Sequence, residues 1–281
     1  MNANDLTSPK AYPYAWGVTT SAKGGAEQIE AVKGIADKYH TLYLPREGHS
    51  LRELQAAHGL DYIVTLDRNM RLYVGEPPVC WHPSLSLKRL RRLAEGGRDV
   101  FLSAVSLERG DRYLDCTLGF GADAILAAWA AGETGEVLGL EASPIIALLS
   151  EWGLKYDAPG FQSKKTPVAE AAGRIRVLAE EALAFLRSQP EGAWDVIYFD
   201  PMFRAANMRS SGMNSIRPLA NHEPFSASLL SESLRICTKR VVLKERWFSP
   251  LFQQLGAHHT VKTKYGPVAY GIWDKPGGGG G

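Results

Sequence analysis

The chain has 281 residues, a formal net charge of +2 and 45% hydrophobic residues. That is enough for one large domain or for a catalytic domain with a smaller companion, and too close to neutrality for overall charge to hold nucleic acid or anionic membrane, so any such contact needs a local patch. The 3 scattered cysteines exclude a disulfide framework and a paired-cysteine zinc site; with no signal-peptide pattern and no apolar run long enough for a bilayer, a cytoplasmic location without membrane or metal is expected.

Residues 1–12 read as an irregular lead-in. Ala15 to Thr20 is apolar and β-branched, which predicts a strand. Ile29, Val32, Ile35 and Ala36 recur at helical spacing and predict a helix over Ala26 to Tyr39. A short strand follows at Thr41 to Leu44. Ser50, with Glu53 three residues on, has the pattern of a capping box that starts a helix. Tyr62 to Leu66 and Met70 to Val74 read as strands around an Asp67-Arg68-Asn69 turn. This small α/β unit closes near Glu76-Pro77-Pro78, so residues 1–77 are expected to form an N-terminal unit.

A helical stretch from Ser84 to Leu107 is broken at Gly96-Gly97. Leu85, Leu87, Leu90 and Leu93 offer an apolar face, interleaved with Lys88, Arg89, Arg91 and Arg92. From Asp111 onward strands and helices alternate. Strands are expected at 113–117, 137–141, 175–178, 195–199 and 240–243, and helices at 122–131, 144–154, 181–188 and 225–237. His258 to Lys264 and Val268 to Trp273 pair through Tyr265-Gly266-Pro267. Such alternation predicts a mainly parallel sheet with a closing antiparallel hairpin over residues 78–275. Residues 276–281 are an expected disordered glycine tail.

Gly119-Phe120-Gly121 follows a strand and opens a helix, where glycines let the backbone turn and approach a ligand. Glu141 ends the next strand, 20 residues after Gly121, where a carboxylate can accept from both hydroxyls of a ribose. Gly119-x-Gly121-x-x-Ala124 also fits a dinucleotide fingerprint, so a nicotinamide cofactor competes with S-adenosylmethionine (SAM). Asp115 at the strand end favours SAM, because a carboxylate suits a cationic amino-acid moiety and repels a pyrophosphate. Asp123 reads as a loop cap, a contact to the methionine end of SAM or an ordinary first-turn acid, and Glu180 as an acid near the adenine or a helix-start acid.

Val196 to Phe199 is an apolar strand that runs into Asp200-Pro201-Met202-Phe203 at the carboxyl edge of the sheet, where ligands bind in open α/β folds. An acid, a rigid turn and an aromatic ring can hold a flat, amino-bearing base: Asp200 and the Pro201 carbonyl accept from the amine, and Phe203 stacks. This motif is similar to the Asp-Pro-Pro-Tyr type of amino-group methyltransferases. Its Met variant resembles the RsmJ-like family, whose namesake methylates a guanine N2 amine in small-subunit ribosomal RNA. The resemblance runs from about His82 to Trp273 and includes Leu114 to Ala124 with Thr117, Leu140-Glu141-Ala142-Ser143-Pro144 and Lys239 to Lys244. It implies a Rossmann-like, seven-stranded SAM-methyltransferase sheet. After the aromatic residue the family often has proline, where this chain has Arg204.

Cys116 lies inside the cofactor loop and reads as a small buried residue rather than a nucleophile. Lys88, Arg89, Arg91, Arg92 and Arg98 form one basic cluster, and Arg204, Arg209 and Arg217 another beside Asp200. Together they can follow a phosphate backbone, or they can be a solvated helix face and loop. Lys244 either approaches the substrate or ends a strand at the surface. The reading that follows is SAM-dependent N-methylation of an RNA base, with ribosomal RNA or the ribosomal subunit as partner. The alternatives are methylation of a small molecule or protein, and a non-catalytic RNA- or nucleotide-binding module.

Overall fold

In the computed structural model, which describes residues 12–74, 77–158, 167–201, 216–264 and 266–276, the chain divides into two units, Met1–Cys80 and Trp81–Gly281. The first holds β1 (Trp16–Thr20), α1 (Ala26–Tyr39), β2 (Leu42–Tyr43), α2 (Leu51–His58), β3 (Tyr62–Leu66), β4 (Met70–Tyr73) and β5 (Val79–Cys80). Its sheet runs β2-β1-β3-β4-β5. β1 pairs in parallel with β2 and β3, and β4 is antiparallel to both β3 and β5. The expected capping box starts α2: Glu53 N donates to Ser50 Oγ at 3.2 Å, and Ser50 N donates to Glu53 Oε2 at 2.6 Å. β5 was not expected, because a two-residue strand is too short to show a period.

The second unit begins with α3 (Ser84–Ala94) and α4 (Val100–Val105), then alternates through β6 (Arg112–Asp115), α5 (Ala122–Ala131), β7 (Glu136–Leu140), α6 (Pro144–Trp152), α7 (Pro167–Ala172), β8 (Ile175–Leu178), α8 (Ala182–Ser188), β9 (Trp194–Phe199) and α9 (Ala227–Ile236). It ends with β10 (Cys237–Arg246), α10 (Leu251–Gln254), β11 (His259–Lys262) and β12 (Val268–Asp274). The seven-stranded sheet has the order β11-β12-β10-β9-β6-β7-β8. The five strands β6 to β10 are parallel, and β12 is antiparallel to β10 and β11. This is the expected Rossmann-like sheet with a closing hairpin. One face carries an apolar cluster that joins Leu114, Leu138, Ile197, Phe199, Val241 and Leu243 to α8, α9 and α10; α3, α4 and α5 pack over the other.

Several elements differ from expectation. β10 starts three residues early and ends three residues late. Its polar residues are satisfied where they lie: Lys239 meets Glu108 and Asp111, and Arg240 meets Asp274. α9 begins at Ala227 because Ser226 caps it, its Oγ accepting from Leu229 N at 3.3 Å. α6 gives way to a π-helical turn at Gly153–Asp157. A Cβ at Gly153 would lie 2.1 Å from the Trp81 ring, so the indole takes the place of a side chain there. α7 and α10 are short and were not expected. On α3, Leu85 is 64% exposed, and the inner face instead runs through Ser86 and Leu90. The glycine tail from 277 to 281 lies outside the described residues.

At the amino edge of the sheet Asp195 joins three strands. It accepts from Arg112 N at 2.8 Å, from the Arg112 guanidinium at 3.1 and 3.2 Å, and from Thr238 Oγ1 at 2.6 Å. Burial pushes this carboxyl up, but these donors outweigh it and hold it at about 2. A lowered carboxylate stabilises the fold fully above its unfolded value of about 3.9 and loses that contribution as pH falls toward the folded value. Asp195→Asn is therefore expected to cost about 2–3 kcal/mol at pH 7. Its deficit relative to the parent should shrink between about pH 4 and pH 2; urea denaturation at several pH values checks this.

Candidate active site

Register brings the candidate residues to one face. β6 and β9 pair Asp115 with Tyr198, β9 and β10 pair Tyr198 with Val242, and β10 and β12 pair Lys244 with Tyr270. Every second residue of a strand shares a face. Asp115, Tyr198, Lys244 and Tyr270 therefore point to the side of α3, α4 and α5, and Asp200 continues that row past the end of β9. The strand order also reverses at β6, with β7 and β8 on one side and β9 and β10 on the other. That reversal opens a ligand crevice at the carboxyl ends of β6 and β9.

The loop after β6 is fastened on several sides. Cys116 N donates to the Tyr198 carbonyl at 2.9 Å, and Leu118 N to the Leu140 carbonyl at 2.9 Å. Gly119 and Gly121 have φ of 52° and 75°, a left-handed turn that glycine adopts without strain. Leu118 lies flat on β7, where a Cβ at Gly139 would come within 2.5 Å of its Cδ1. Trp81 Nε1 donates to the Phe120 carbonyl at 2.8 Å. Cys116 is buried, and burial pushes its thiol well above the usual range. That agrees with a packing role and gives no thiolate nucleophile.

Glu141 stands just past β7 and is buried. Its Oε2 accepts from Gly119 N at 3.0 Å and its Oε1 from Ser143 N at 2.9 Å. Burial raises its pKa, opposed by the backbone N–H groups of Ser143, Gly119 and Ala142. A carboxylate has about four acceptor sites, so Glu141 keeps acceptor capacity beyond these backbone donors. Ala142 is half-buried beside it; Glu180 is exposed beyond β8, and its N–H donates to the Glu141 carbonyl at 3.1 Å.

Asp115 is buried and accepts from Thr117 N at 3.0 Å. It forms no ion pair among the described residues, and burial pushes it well above the carboxylate range. Thr117 also reaches the next strand, where its Oγ1 accepts from Asp200 N at 2.5 Å. That bond fixes the start of the Asp200-Pro201 turn to the cofactor loop.

Around Asp123 lies a chain of charges. Its carboxylate accepts from Tyr198 Oη at 2.7 Å, from Lys244 Nζ at 3.1 Å and from Arg89. Lys244 Nζ also donates to Asp200 Oδ2 at 2.6 Å. Arg89 holds Asp99 through two bonds of 2.7 and 2.8 Å. Burial disfavours the charged form of Asp123, but Lys244 and Arg89 outweigh it and lower its pKa. Burial likewise disfavours charge on Lys244, but Asp123 and Asp200 raise its pKa far above the ordinary value. Asp200 is raised, first by burial, with Lys244 pulling the other way and Asp123 adding to the rise.

The structure thus gathers Asp115, Thr117, Asp123, Asp200 and Lys244, with Gly119, Gly121, Glu141 and Ala142 on the adjoining loop. Met202, Phe203, Arg204 and Arg209 lie outside the described residues. Two expectations are corrected. Lys244 does not end its strand at the surface, since β10 continues to Arg246 and the ammonium is held between two carboxylates. Arg89 belongs to no surface patch, because its guanidinium is spent on Asp99 and Asp123; Lys88, Arg91, Arg92 and Arg98 are the exposed cations of that cluster. Sequence reasoning missed Arg89, Tyr198 and Trp81 as site residues. One signal was present, since Tyr198 sits two residues before Asp200 on the same strand face; the burial of Ser86, three residues before Arg89, is seen only in the structure.

The family model described as "Putative SAM-dependent methyltransferase" matches residues 83–267. An uncharacterised Bacillus subtilis protein, YpiP, is 31% identical over 256 residues, covering 91% of this chain and 98% of that protein. Ribosomal RNA small subunit methyltransferase J of Pseudomonas fluorescens is 31% identical over 180 residues, which are 62% of this chain and 66% of that protein. The crystal structure of a SAM-dependent methyltransferase from Neisseria gonorrhoeae superposes with a TM-score of 0.62 at 18% identity, covering 93% of this chain and 96% of that one; it shares the fold.

Removing Lys244 leaves two carboxylates facing each other across its place. Lys244→Met is expected to cost about 3–5 kcal/mol at pH 7, the usual penalty for an unpaired buried charge. The deficit should narrow in acid, because protonating either carboxylate removes the repulsion. Chemical denaturation at pH 7 and pH 5 measures both, and a pH-independent deficit would contradict the assigned pairing.

Proposed function

Because the chain belongs to the SAM-dependent methyltransferase family, we propose that it transfers the methyl group of SAM to an amino group of an RNA base, with guanine N2 in small-subunit ribosomal RNA as the specific candidate. The observation that carries this reading is the Asp200-Pro201 turn, fastened to the cofactor loop by the bond from Asp200 N to Thr117 Oγ1. The relative from Pseudomonas fluorescens supports the RNA substrate by its name. Cytoplasmic ribosomal subunits are the corresponding partner; among the described residues no helix is long and apolar enough to cross a membrane, and no group of side chains is arranged to hold a metal ion.

The residues present suit SAM. Glu141 has acceptor capacity left for the ribose diol. Asp115, buried without a cation, suits the ammonium of the methionine moiety. Gly119 and Gly121 let the backbone come close, Ala142 and Glu180 border the adenine position, and Asp123 supports the loop through Lys244 and Arg89. When bound, SAM supplies an electrophilic methyl group on a sulfonium that is already a good leaving group. The chain's work is then positional. Asp200 and the Pro201 carbonyl accept the amine N–H groups and aim the nitrogen lone pair. Bound SAM would give up its methyl group to the nitrogen and keep the bonding pair on sulfur, and Asp200 would disperse the positive charge on nitrogen until its proton passes to solvent. The expected roles of Met202 and Phe203 toward the base, and of Arg204 and Arg209 toward phosphates, fall on residues outside the described ones. Lys244 acts on the substrate through Asp200.

Asp200→Asn is expected to lower methyl transfer by about 100-fold or more while SAM binding is retained. Glu141→Ala is expected to weaken SAM binding by about 10- to 100-fold through two lost hydrogen bonds. The assay uses tritiated SAM with small ribosomal subunits from a strain that lacks the gene, and calorimetry for SAM. Tritium that never enters RNA, or full activity in Asp200→Asn, sinks the reading.

A further inference from the structure

Two aromatic side chains outside the charge network remain unexplained. β10 ends at Arg246, and the next residues, Trp247 and Phe248, are 52% and 57% exposed. Their rings meet edge to face, with centroids 5.5 Å apart at 89°. Lys262 Nζ lies 4.9 Å from the Trp247 ring centre, and the Arg246 guanidinium 5.9 Å from that of Phe248. The backbone beneath is ordered by hydrogen bonds: Trp247 N donates to the Pro267 carbonyl at 2.8 Å, and Ser249 N to the Arg246 carbonyl at 2.9 Å. Trp247 follows Lys244 by three residues, in the turn just past the end of β10, so the two are within roughly 10 Å at the usual strand rise. The rings thus stand at the same carboxyl edge as Asp200.

We infer that Trp247 and Phe248, with Lys262 and Arg246, form a platform that stacks unpaired bases of the RNA flanking the methylated nucleotide. The inference rests on the RNA reading of the Asp200 site. A protein partner would favour an apolar centre depleted in lysine. Here cations lie on the rings themselves, the combination that single-stranded nucleic acid uses, with bases on the π faces and phosphates on the charges. An enzyme that must reach a base amine needs its target nucleotide unstacked. Rings at the site's edge give neighbouring bases a replacement for the stacking they lose.

The test uses the full chain with S-adenosylhomocysteine and a fluorescein-labelled single-stranded oligoribonucleotide, read by anisotropy, beside an abasic strand of equal length. Trp247→Ala and Phe248→Ala are each expected to weaken binding of the base-bearing strand about 10-fold and to leave the abasic strand unchanged. Trp247→Phe should retain most of the affinity. Lys262→Ala should lower the slope of log affinity against log salt by roughly one phosphate's share. All variants should bind S-adenosylhomocysteine like the parent, since the rings are exposed. Equal binding by parent and alanine variants overturns the platform, as does equal loss on the abasic strand. A loss of methylation confined to assembled subunits, with naked RNA unaffected, assigns the rings to a protein and overturns it too. A parent that binds no RNA at all overturns the RNA reading first and the platform with it.

Discussion

The site depends on Asp123, a carboxylate buried at the start of α5 that would not stay charged by itself. Arg89 from α3, Lys244 from β10 and Tyr198 from β9 converge on it. Taking a charge out of water is costly unless it is paired and hydrogen-bonded, so these elements can pack only together. The signs alternate along Asp99, Arg89, Asp123, Lys244 and Asp200. Three anions meet two cations, which leaves one negative charge at the open end, on Asp200. Asp115, close by and without an ion-pair partner among the described residues, is pushed by burial well above the usual carboxylate range and adds no fixed charge. An anionic crevice is a favourable setting for a cofactor that carries a sulfonium and an ammonium.

The cofactor loop obeys a second constraint, which is shape. Leu118 can lie on β7 only because Gly139 has no side chain, and the turn at Gly119 and Gly121 takes a conformation that other residues resist. The same loop gives its backbone to Glu141 and a hydroxyl to Asp200. The loop after β6 and the Asp200-Pro201 turn are therefore one hydrogen-bonded piece, through Thr117.

Much of this was legible in the sequence because it is local. α1, α5 and β8 were expected with the bounds they have, and the capping box at Ser50 and Glu53 forms as written. The order of strand, glycine turn, helix and acid is found as the sequence has it, with β6, the turn at Gly119 and Gly121, α5 and Glu141 past β7. What was not legible is long-range pairing. Lys239 and Arg240 look like surface residues until their partners on other elements are known, so β10 was drawn too short. Arg89 looked like one more cation of a basic helix, yet Asp99 and Asp123 hold it inside. Lys244 was placed near the substrate or at the surface; only strand register shows it wedged between two carboxylates. The contact of Trp81 with Gly153, at the π-helical turn after α6, is hidden for the same reason, since the two are far apart in the chain.

The charge chain is a poor source of stability for its size. Buried ion pairs often do no better than apolar residues of the same volume, because desolvation offsets their attraction. An apolar cluster in the place of Arg89, Asp123 and Lys244 would pack under the same sheet. What it would not supply is a fixed cation beside Asp200. Burial raises the pKa of Asp200, and a protonated carboxyl turns one of its two oxygens from acceptor to donor, so it meets an amine with less acceptor capacity. Lys244 opposes that rise, and Asp123 holds Lys244 where it does so. The network makes most sense as a device that sets the charge and direction of one carboxylate. It also leaves the Lys244 ammonium spent on two carboxylates and not free to grip a further anion.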